Sequence, residues 1–325
     1  MPNFAIAMLL LALATQYAVA ALAFPLLSRR SRVQVSALAL AVALLLSCPL
    51  LIPPAHIQLR ALAVFLAADA SFRMADFARC VRGRHAVSVS WGTYYRFLNP
   101  FPSLVVLFNW RARRCASGVS SSKEWLRFAM GCGLFAAMLM VTLSCRSIPL
   151  LRENFWLDHV IKMALFTVAI ESLSQALLGL ERLAGFDTLP IVNFAFLART
   201  PAEFWYRYNQ RVRAWLTANV FLPSGGLRHP VRGICATFAF SAAFHEVAFD
   251  IATSRVDGSQ AAFFLLQAPA VIASRALERF AARWGTVGEI TIRALTLTWL
   301  VVTSVLFFRG VERVFPFVYA GDPYP

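Results

Sequence analysis

Long apolar runs alternate along the chain with short basic ones. The apolar runs fall at 4–27, 34–52, 57–72, 128–145, 158–180, 233–253, 259–275 and 289–308. Most approach or exceed the roughly 20 residues that cross a hydrocarbon core as helix. The pattern predicts about eight transmembrane helices. The first run lacks a basic leader and is too long for the apolar part of a signal peptide, so it reads as a retained span. A shorter patch, 97–110, contains Asn99-Pro100-Phe101-Pro102. Two prolines break a helix there, which predicts an interfacial or re-entrant segment.

The polar positions order the runs. Arginines cluster at 28–32, along 73–127 (Arg73 to Arg127), along 181–232 (Arg182 to Arg232) and at Arg275, Arg279 and Arg283. If each run crosses once, all four clusters lie on one side. The preference of basic loops for the cytoplasm makes that side cytoplasmic and puts both termini outside. There is no internal repeat and no low-complexity linker. The chain reads as one domain, 1–325: an all-α integral membrane protein, multi-pass, in a bacterial inner membrane or an endoplasmic reticulum according to host.

Composition agrees. Apolar residues make up 59% and charged residues 14%, against about 25% charged in soluble domains. The net charge of +15 would suggest nucleic acid in a soluble protein. Here the positive charge, nearly all arginine, sits between apolar runs, so it reads as topology and no nucleic-acid partner is expected. Cys48, Cys80, Cys115, Cys132, Cys145 and Cys235 form no C-x-x-C pair. Neither a disulfide framework nor a zinc site follows from them.

Against that background His245 stands out. It lies in Gly233-Ile-Cys-Ala-Thr-Phe-Ala-Phe-Ser-Ala-Ala-Phe-His-Glu-Val-Ala-Phe, with Glu246 beside it. Ionisable groups within a span are rare and mark working sites. A histidine-glutamate zinc motif would need histidine at 249, where Phe249 stands, so no metal is expected. No G-x-S-x-G elbow supports a serine hydrolase. Ser241 lies one turn before His245 on the same face, where its hydroxyl is placed to fix the imidazole tautomer. Glu246 shares a face with Asp250, as a structural acceptor, an arginine's partner or a catalytic group.

A second feature is the 200–222 segment. Thr200 and Glu203 form a capping box with Pro201 at the first helical position, predicting a helix start. Phe204, Tyr208, Val212, Trp215 and Leu216 fall on one face, Arg207 and Arg211 on another. Such a mixture of tryptophan, tyrosine and arginine suits a membrane–water boundary. Asn209 borders the apolar face. Glu171 and Gln175, one turn apart in the fifth run, either line a tunnel or tie helices together. Asp69 and Arg73 are predicted to pair. His56, His85, His159 and His229 lie in loops or at span ends and receive no role.

Trp205-Tyr206-Arg207-Tyr208-Asn209 resembles the W-x-x-W-N element of membrane-bound O-acyltransferases. Phe240-Ser241-Ala242-Ala243-Phe244-His245-Glu246 resembles the S-[AG]-x-x-H-E element around that family's essential histidine. Phe204-Trp205-Tyr206-Arg207 is similar to the start of the F-W-x-R-x-W element of its wax synthase-like branch, whose last tryptophan position falls on Asn209 in a gapless match. Tyr208 departs from the usual tryptophan. Both motifs fall within the core region 200–253, 36 positions apart between Asn209 and His245.

The resemblance implies helices around a substrate tunnel and transfer of an acyl group from acyl-CoA, a co-substrate and not a cofactor, to the hydroxyl of a lipophilic alcohol. It implies His245 as general base and Asn209 as its partner, orienting the ring or donating to the oxyanion. Trp205, Arg207, Tyr208, Ser241, Glu246 and Glu171 are the supporting candidates. Arg211, Arg213, Arg228 and Arg232 are placed to meet either CoA phosphates or anionic headgroups. Two other readings stand beside this one: a proton-coupled secondary transporter using His245 and Glu171, and a silent scaffold. Against the transporter, the chain has no inverted repeat. Oligomeric state is not legible.

Overall fold

The computed structural model describes residues 2–29, 31–83, 89–108, 113–114 and 121–321. Arg84, His85, Trp110, Arg111 and Cys115 lie outside the described residues. The helices are α1 (Pro2–Leu22), α2 (Phe24–Leu27), α3 (Val33–Ser47), α4 (Ile57–Arg82), α5 (Trp91–Leu98), α6 (Ser121–Ser144), α7 (Pro149–Glu153), α8 (Phe155–Leu183), α9 (Pro201–Arg207), α10 (Gln210–Leu216), α11 (Pro230–Thr253) and α12 (Ser259–Val314). A short antiparallel ladder pairs Arg113 with Asp187 and Arg114 with Phe186.

Among the described residues, six helices are long and apolar enough to cross a membrane: Asn3–Leu27, Val33–Leu51, Ser121–Ser147, Phe155–Leu183, Pro230–Thr253 and Ser259–Val314. The last holds 56 residues, about 84 Å if straight at 1.5 Å per residue, nearly three hydrocarbon thicknesses. It is not straight. Gly285, at φ 54° and ψ −134°, reverses the chain. The two arms then meet in antiparallel register. The Gln260 amide donates to the Phe307 carbonyl at 2.9 Å. The Gln267 amide donates to the Thr303 hydroxyl at 3.1 Å. Gly288 lies so close to the Ala281 backbone that a Cβ would stand 2.7 Å from its Cα. The expected runs at 259–275 and 289–308 are these two arms. The loop expected between them is a continuation of helix on both sides of Gly285.

α4 is as long as a crossing helix but carries Arg60, Asp69, Arg73 and Asp76, all buried. Each is answered. Arg73 pairs with Asp69 at 2.6 Å, the pair expected from their spacing. Arg73 also donates to the Phe97 carbonyl at 2.7 Å and the Pro102 carbonyl at 3.1 Å. Asp76 accepts from the Phe108 backbone N–H at 2.7 Å and from Arg79 at 2.6 Å. Arg60 donates to the Ser254 hydroxyl. Charge in low dielectric persists only when paired in this way. α4 is therefore the axle of the molecule, with α1, α3 and α11 packed around it and Leu27, Phe77 and Tyr94 in its largest apolar cluster.

Polar contacts sort into two ends. At one end Gln34 donates to the Leu27 and Ala78 carbonyls, and Arg199 pairs with Glu289. At the other, Gln58 donates to the Val314 carbonyl and Asp257 pairs with Arg309 and Arg313. Between them α1, α3 and α6 leave large apolar side chains bare, among them Leu10, Leu40 and Met130. Such a belt is a lipid-facing surface, not an unfilled core.

Candidate active site

The site is built where α11 meets the α9–α10 pair. His245 sits on the fifth turn of α11. Its Nδ1 lies 2.8 Å from the backbone carbonyl of Ser241. A carbonyl only accepts, so Nδ1 carries the proton and Nε2 of the neutral ring carries the lone pair. Nε2 has no hydrogen-bond partner among the described residues. The ring stacks on Phe264 with centroids 4.0 Å apart and planes at 27°. The Ser241 hydroxyl does not touch the imidazole. It donates to the Thr237 carbonyl at 3.0 Å. The tautomer is thus set by Ser241's backbone, not by its side chain.

His245 opens on a cavity of about 420 Å³, within the usual range of small-molecule sites. α8, α9, α10, α11 and both arms of α12 line it, mostly with apolar side chains. Asn209, Trp205, Tyr208 and Ser241 line it too, whereas Arg207, Glu246 and Glu171 do not. The site candidates therefore fall into two groups.

The helix expected over 200–222 is broken between Arg207 and Gln210, and the break creates the site. Thr200 caps α9 as expected, accepting from the Glu203 N–H at 3.3 Å. Glu203 accepts from the Arg199 N–H at 2.8 Å and pairs with Arg207 at 2.8 Å. Burial pushes the Glu203 carboxyl up, but these donors outweigh it and hold it below the ordinary carboxylate value. α9 then stops because the 191–193 loop takes its backbone groups. The Asn193 N–H donates to the Arg207 carbonyl at 3.1 Å, and the Gln210 N–H to the Ile191 carbonyl at 2.8 Å. Asn209 adopts the left-handed conformation, φ 47°, that asparagine tolerates. Its Oδ1 accepts from the Val212 N–H at 3.3 Å and caps α10, which leaves the Nδ2 donors free among the described residues.

α10 continues through a π-type turn, Thr217–Phe221, and the chain reverses into α11. The Phe221 ring fills the space beside Gly233, where a Cβ would meet it at 2.6 Å. Farther along, Trp215 packs on Phe240, ring centroids 5.5 Å apart. The two segments thus run antiparallel from an apex at Phe221 and Gly233. Asn209 lies twelve positions before one and His245 twelve after the other. Both line one cavity, with no direct hydrogen bond between them among the described residues.

α10 is anchored from behind. Arg211, expected among the arginines of the cytosolic face, is buried. It forms a two-pronged pair with Glu181 at 2.8 and 2.7 Å and donates to the Leu189 carbonyl at 2.7 Å. It therefore does not share an exposed face with Arg207, and it is not available to an anion. Trp215 donates to the Phe72 carbonyl at 2.8 Å, fastening α10 to α4. Arg207 stays with Glu203 at the surface of α9.

Glu246 turns away from the cavity. Its carboxylate accepts from the Gly258 N–H at 2.6 Å and the Ala261 N–H at 2.9 Å, capping the N-terminus of α12. Of the roles weighed for it, the geometry is that of a structural acceptor. Glu171 accepts from the Phe194 N–H at 2.8 Å and from Gln175 at 3.1 Å, and Gln175 in turn accepts from Arg127 at 2.8 Å. It ties α8 to α6 and to the loop before α9.

Sequence reasoning gave no role to two residues, Phe264 and His159, and missed one feature of a third, Trp205. Phe264, which holds the His245 ring, is one phenylalanine among 28. His159 is fully buried, within 2.6 Å of the Tyr319 hydroxyl and 2.9 Å of the Val301 carbonyl, and it pins the chain after α12 to α8. Trp205, which was named, has an unforeseen feature: its Nε1 is buried at the cavity without a partner among the described residues. Only its tryptophan identity signalled a donor there.

These features define a class: a predominantly helical, multi-pass membrane protein whose core holds a histidine, unpartnered at Nε2 among the described residues, in a mostly apolar cavity. Over 141 residues the chain is 33% identical to a protein of Arabidopsis thaliana named probable long-chain-alcohol O-fatty-acyltransferase 3, a stretch covering 40% of this chain and 41% of that relative. The chain thus matches about two fifths of the relative's length. That name agrees with the wax synthase-like resemblance carried by the two motifs. No family model matches the chain.

Proposed function

We propose that the protein is an integral-membrane O-acyltransferase that moves an acyl group from acyl-CoA to the hydroxyl of a long-chain or otherwise lipophilic alcohol. The observation that carries this reading is the His245 imidazole. Its proton is committed to the Ser241 carbonyl, and its free Nε2 stands in a mostly apolar cavity shared with Asn209.

An alcohol is a poor nucleophile at neutral pH, so a base must take its proton as it attacks. His245 Nε2 accepts that proton while the alcohol oxygen bonds to the thioester carbonyl carbon. Charge gathers on the carbonyl oxygen of the tetrahedral intermediate, and the Asn209 Nδ2–H donates to it. Collapse re-forms the carbonyl, breaks the C–S bond, and passes the His245 proton to the departing thiolate. The products are an ester and CoA. Trp205 and Tyr208 wall the acceptor's path.

The two-ended sorting of polar contacts supports eight crossings: α1, α3, α4, α6, α8, α11 and the two arms of α12. Under that count the α9–α10 pair and the tip at Gly285 share the cytoplasmic side. The cavity is then a tunnel from the cytoplasm to the level of His245, with lipid as the acceptor's source.

The test is thiol release by the protein purified in lipid nanodiscs, given acyl-CoA and a panel of long-chain alcohols, sterols and diacylglycerol. The wild type releases CoA with at least one acceptor. His245→Ala releases none while its melting temperature stays unchanged. Silence of the wild type with every acceptor sinks the transferase reading, and turnover by His245→Ala sinks the base assignment.

A further inference from the structure

Among the described residues lining the cavity, Arg213 carries a permanent positive charge with no ion-pair partner. Arg213 lies one turn after Asn209 on α10 and lines the same cavity as His245. Its Nε is buried and has no hydrogen-bond partner among the described residues. No carboxylate pairs with it among the described residues. Its guanidinium carbon lies over the Tyr206 ring, 4.2 Å from the centroid.

The contrast with its neighbours is what makes this informative. Arg211, two residues earlier, is held by Glu181 and two carbonyls. Arg207 is held by Glu203, Arg73 by Asp69 and Arg79 by Asp76. Arg232 donates to the Ser224 carbonyl. A guanidinium cannot shed its charge and offers five donors. Left unmet beside apolar walls, it is costly. Stacking on Tyr206 holds the fork in one plane without using any of its N–H groups. A guanidinium braced on an aromatic ring, with its Nε unpartnered among the described residues, suits a phosphate, which it can grip by two parallel hydrogen bonds.

We propose that Arg213, braced by Tyr206, is the phosphate-binding residue of the cavity and grips the phosphorylated end of the thioester donor's pantetheine arm. The proposal rests on the acyltransferase reading for the identity of the donor, but not for the existence of the anion site. It separates Arg213 from Arg211, which sequence alone left equivalent. It also gives the donor a direction: the phosphate is held on α10 while the thioester is carried along the cavity to His245. The phosphate of an anionic lipid headgroup has the same chemistry, and the test separates the two sources.

Two donors differing by one group decide it: an acyl-4′-phosphopantetheine and the corresponding acyl-pantetheine, with the same acyl chain and alcohol. Wild type prefers the phosphorylated donor by about ten- to a hundredfold in kcat/KM, the range for a charge-assisted hydrogen bond. In Arg213→Gln that preference collapses to near one, and Arg213→Lys retains part of it. A preference unchanged in Arg213→Gln overturns the proposal, as does an equal loss with both donors. If the wild type shows no turnover at all, the function fails while the site is still judged by calorimetric binding of desulfo-CoA. Weakening of that binding at least tenfold in Arg213→Gln supports the site, and unchanged binding removes it. If desulfo-CoA does not bind but vesicles rich in phosphatidylglycerol retain wild type and not Arg213→Gln, the anion is a lipid headgroup and the donor assignment is wrong.

Discussion

At the scale of residues, the site separates groups that touch the cavity from groups that hold it in place. Asn209 does both: its Oδ1 caps α10, and the residue lines the cavity with Nδ2 unpartnered among the described residues. Asn209→Asp keeps the capping oxygen and a tolerated left-handed conformation but removes the donor. We expect it to fold like wild type and to lose about a hundredfold or more in kcat, the usual loss for an oxyanion donor. An Asn209→Asp enzyme with full activity would reduce Asn209 to a helix cap. Ser241 gives the opposite case. Its backbone carbonyl orients His245 and its hydroxyl is spent on Thr237, so Ser241→Ala should keep kcat within about threefold, since no catalytic hydrogen bond is lost. A large loss there would return the tautomer to the hydroxyl. The motif spacing placed Ser241 and His245 on one face correctly. It could not say which atom of Ser241 makes the contact, because main chain and side chain lie equally near in a helix.

Among the elements, the α9–α10 break depends on groups remote in sequence. Arg211 and Glu181 are both fully buried, so removing one partner leaves a bare charge. Arg211→Ala should cost about 3–5 kcal/mol, while the paired replacement Arg211→Met with Glu181→Leu recovers most of it. Melting in detergent reads both, and additive losses would contradict the coupling. The start of α9 carries a pH signature. Glu203 sits below its ordinary carboxylate value when folded, so its contribution is complete above the unfolded value and fades as pH falls through the folded one. Acidification below about pH 4.5, the model-compound range for glutamate, should lower the wild-type melting temperature more than that of Glu203→Gln. Parallel curves would remove Glu203 from the account. The capping box was legible because its residues are three apart. The stop at Tyr208 was not, because the groups that impose it, on 191–193, belong to a loop with no motif.

Over the whole molecule, the helices are held at both ends by polar contacts and sheathed between by apolar side chains. The alternation of ends makes a topological prediction. Single-cysteine reporters Leu227→Cys and Trp284→Cys should react with a membrane-impermeant maleimide from one face of the membrane, and Val256→Cys from the other. Leu227→Cys and Val256→Cys labelling from the same face would break the eight-crossing arrangement. Hydropathy read the two arms of α12 as separate runs but not their turn. Arg275, Arg279 and Arg283 looked like a loop, yet they lie on helix up to Gly285, because glycine can reverse the chain within one residue.

What the sequence determined by itself is what short-range periodicity and the solvent impose. Apolar runs long enough to span a bilayer, basic clusters between them, a capped start at Thr200 and an ionisable ring at His245 are all written locally. What only the tertiary structure decided is which polar groups are already satisfied. Arg211 and Arg213 are equivalent as letters, yet one is consumed by Glu181, 30 positions away, and the other is left facing the cavity. A hydrogen bond forms wherever folding brings donor and acceptor together, at any separation along the chain. The free groups, Nε2 of His245, Nδ2 of Asn209 and the Arg213 fork, emerge only once every other bond has been made.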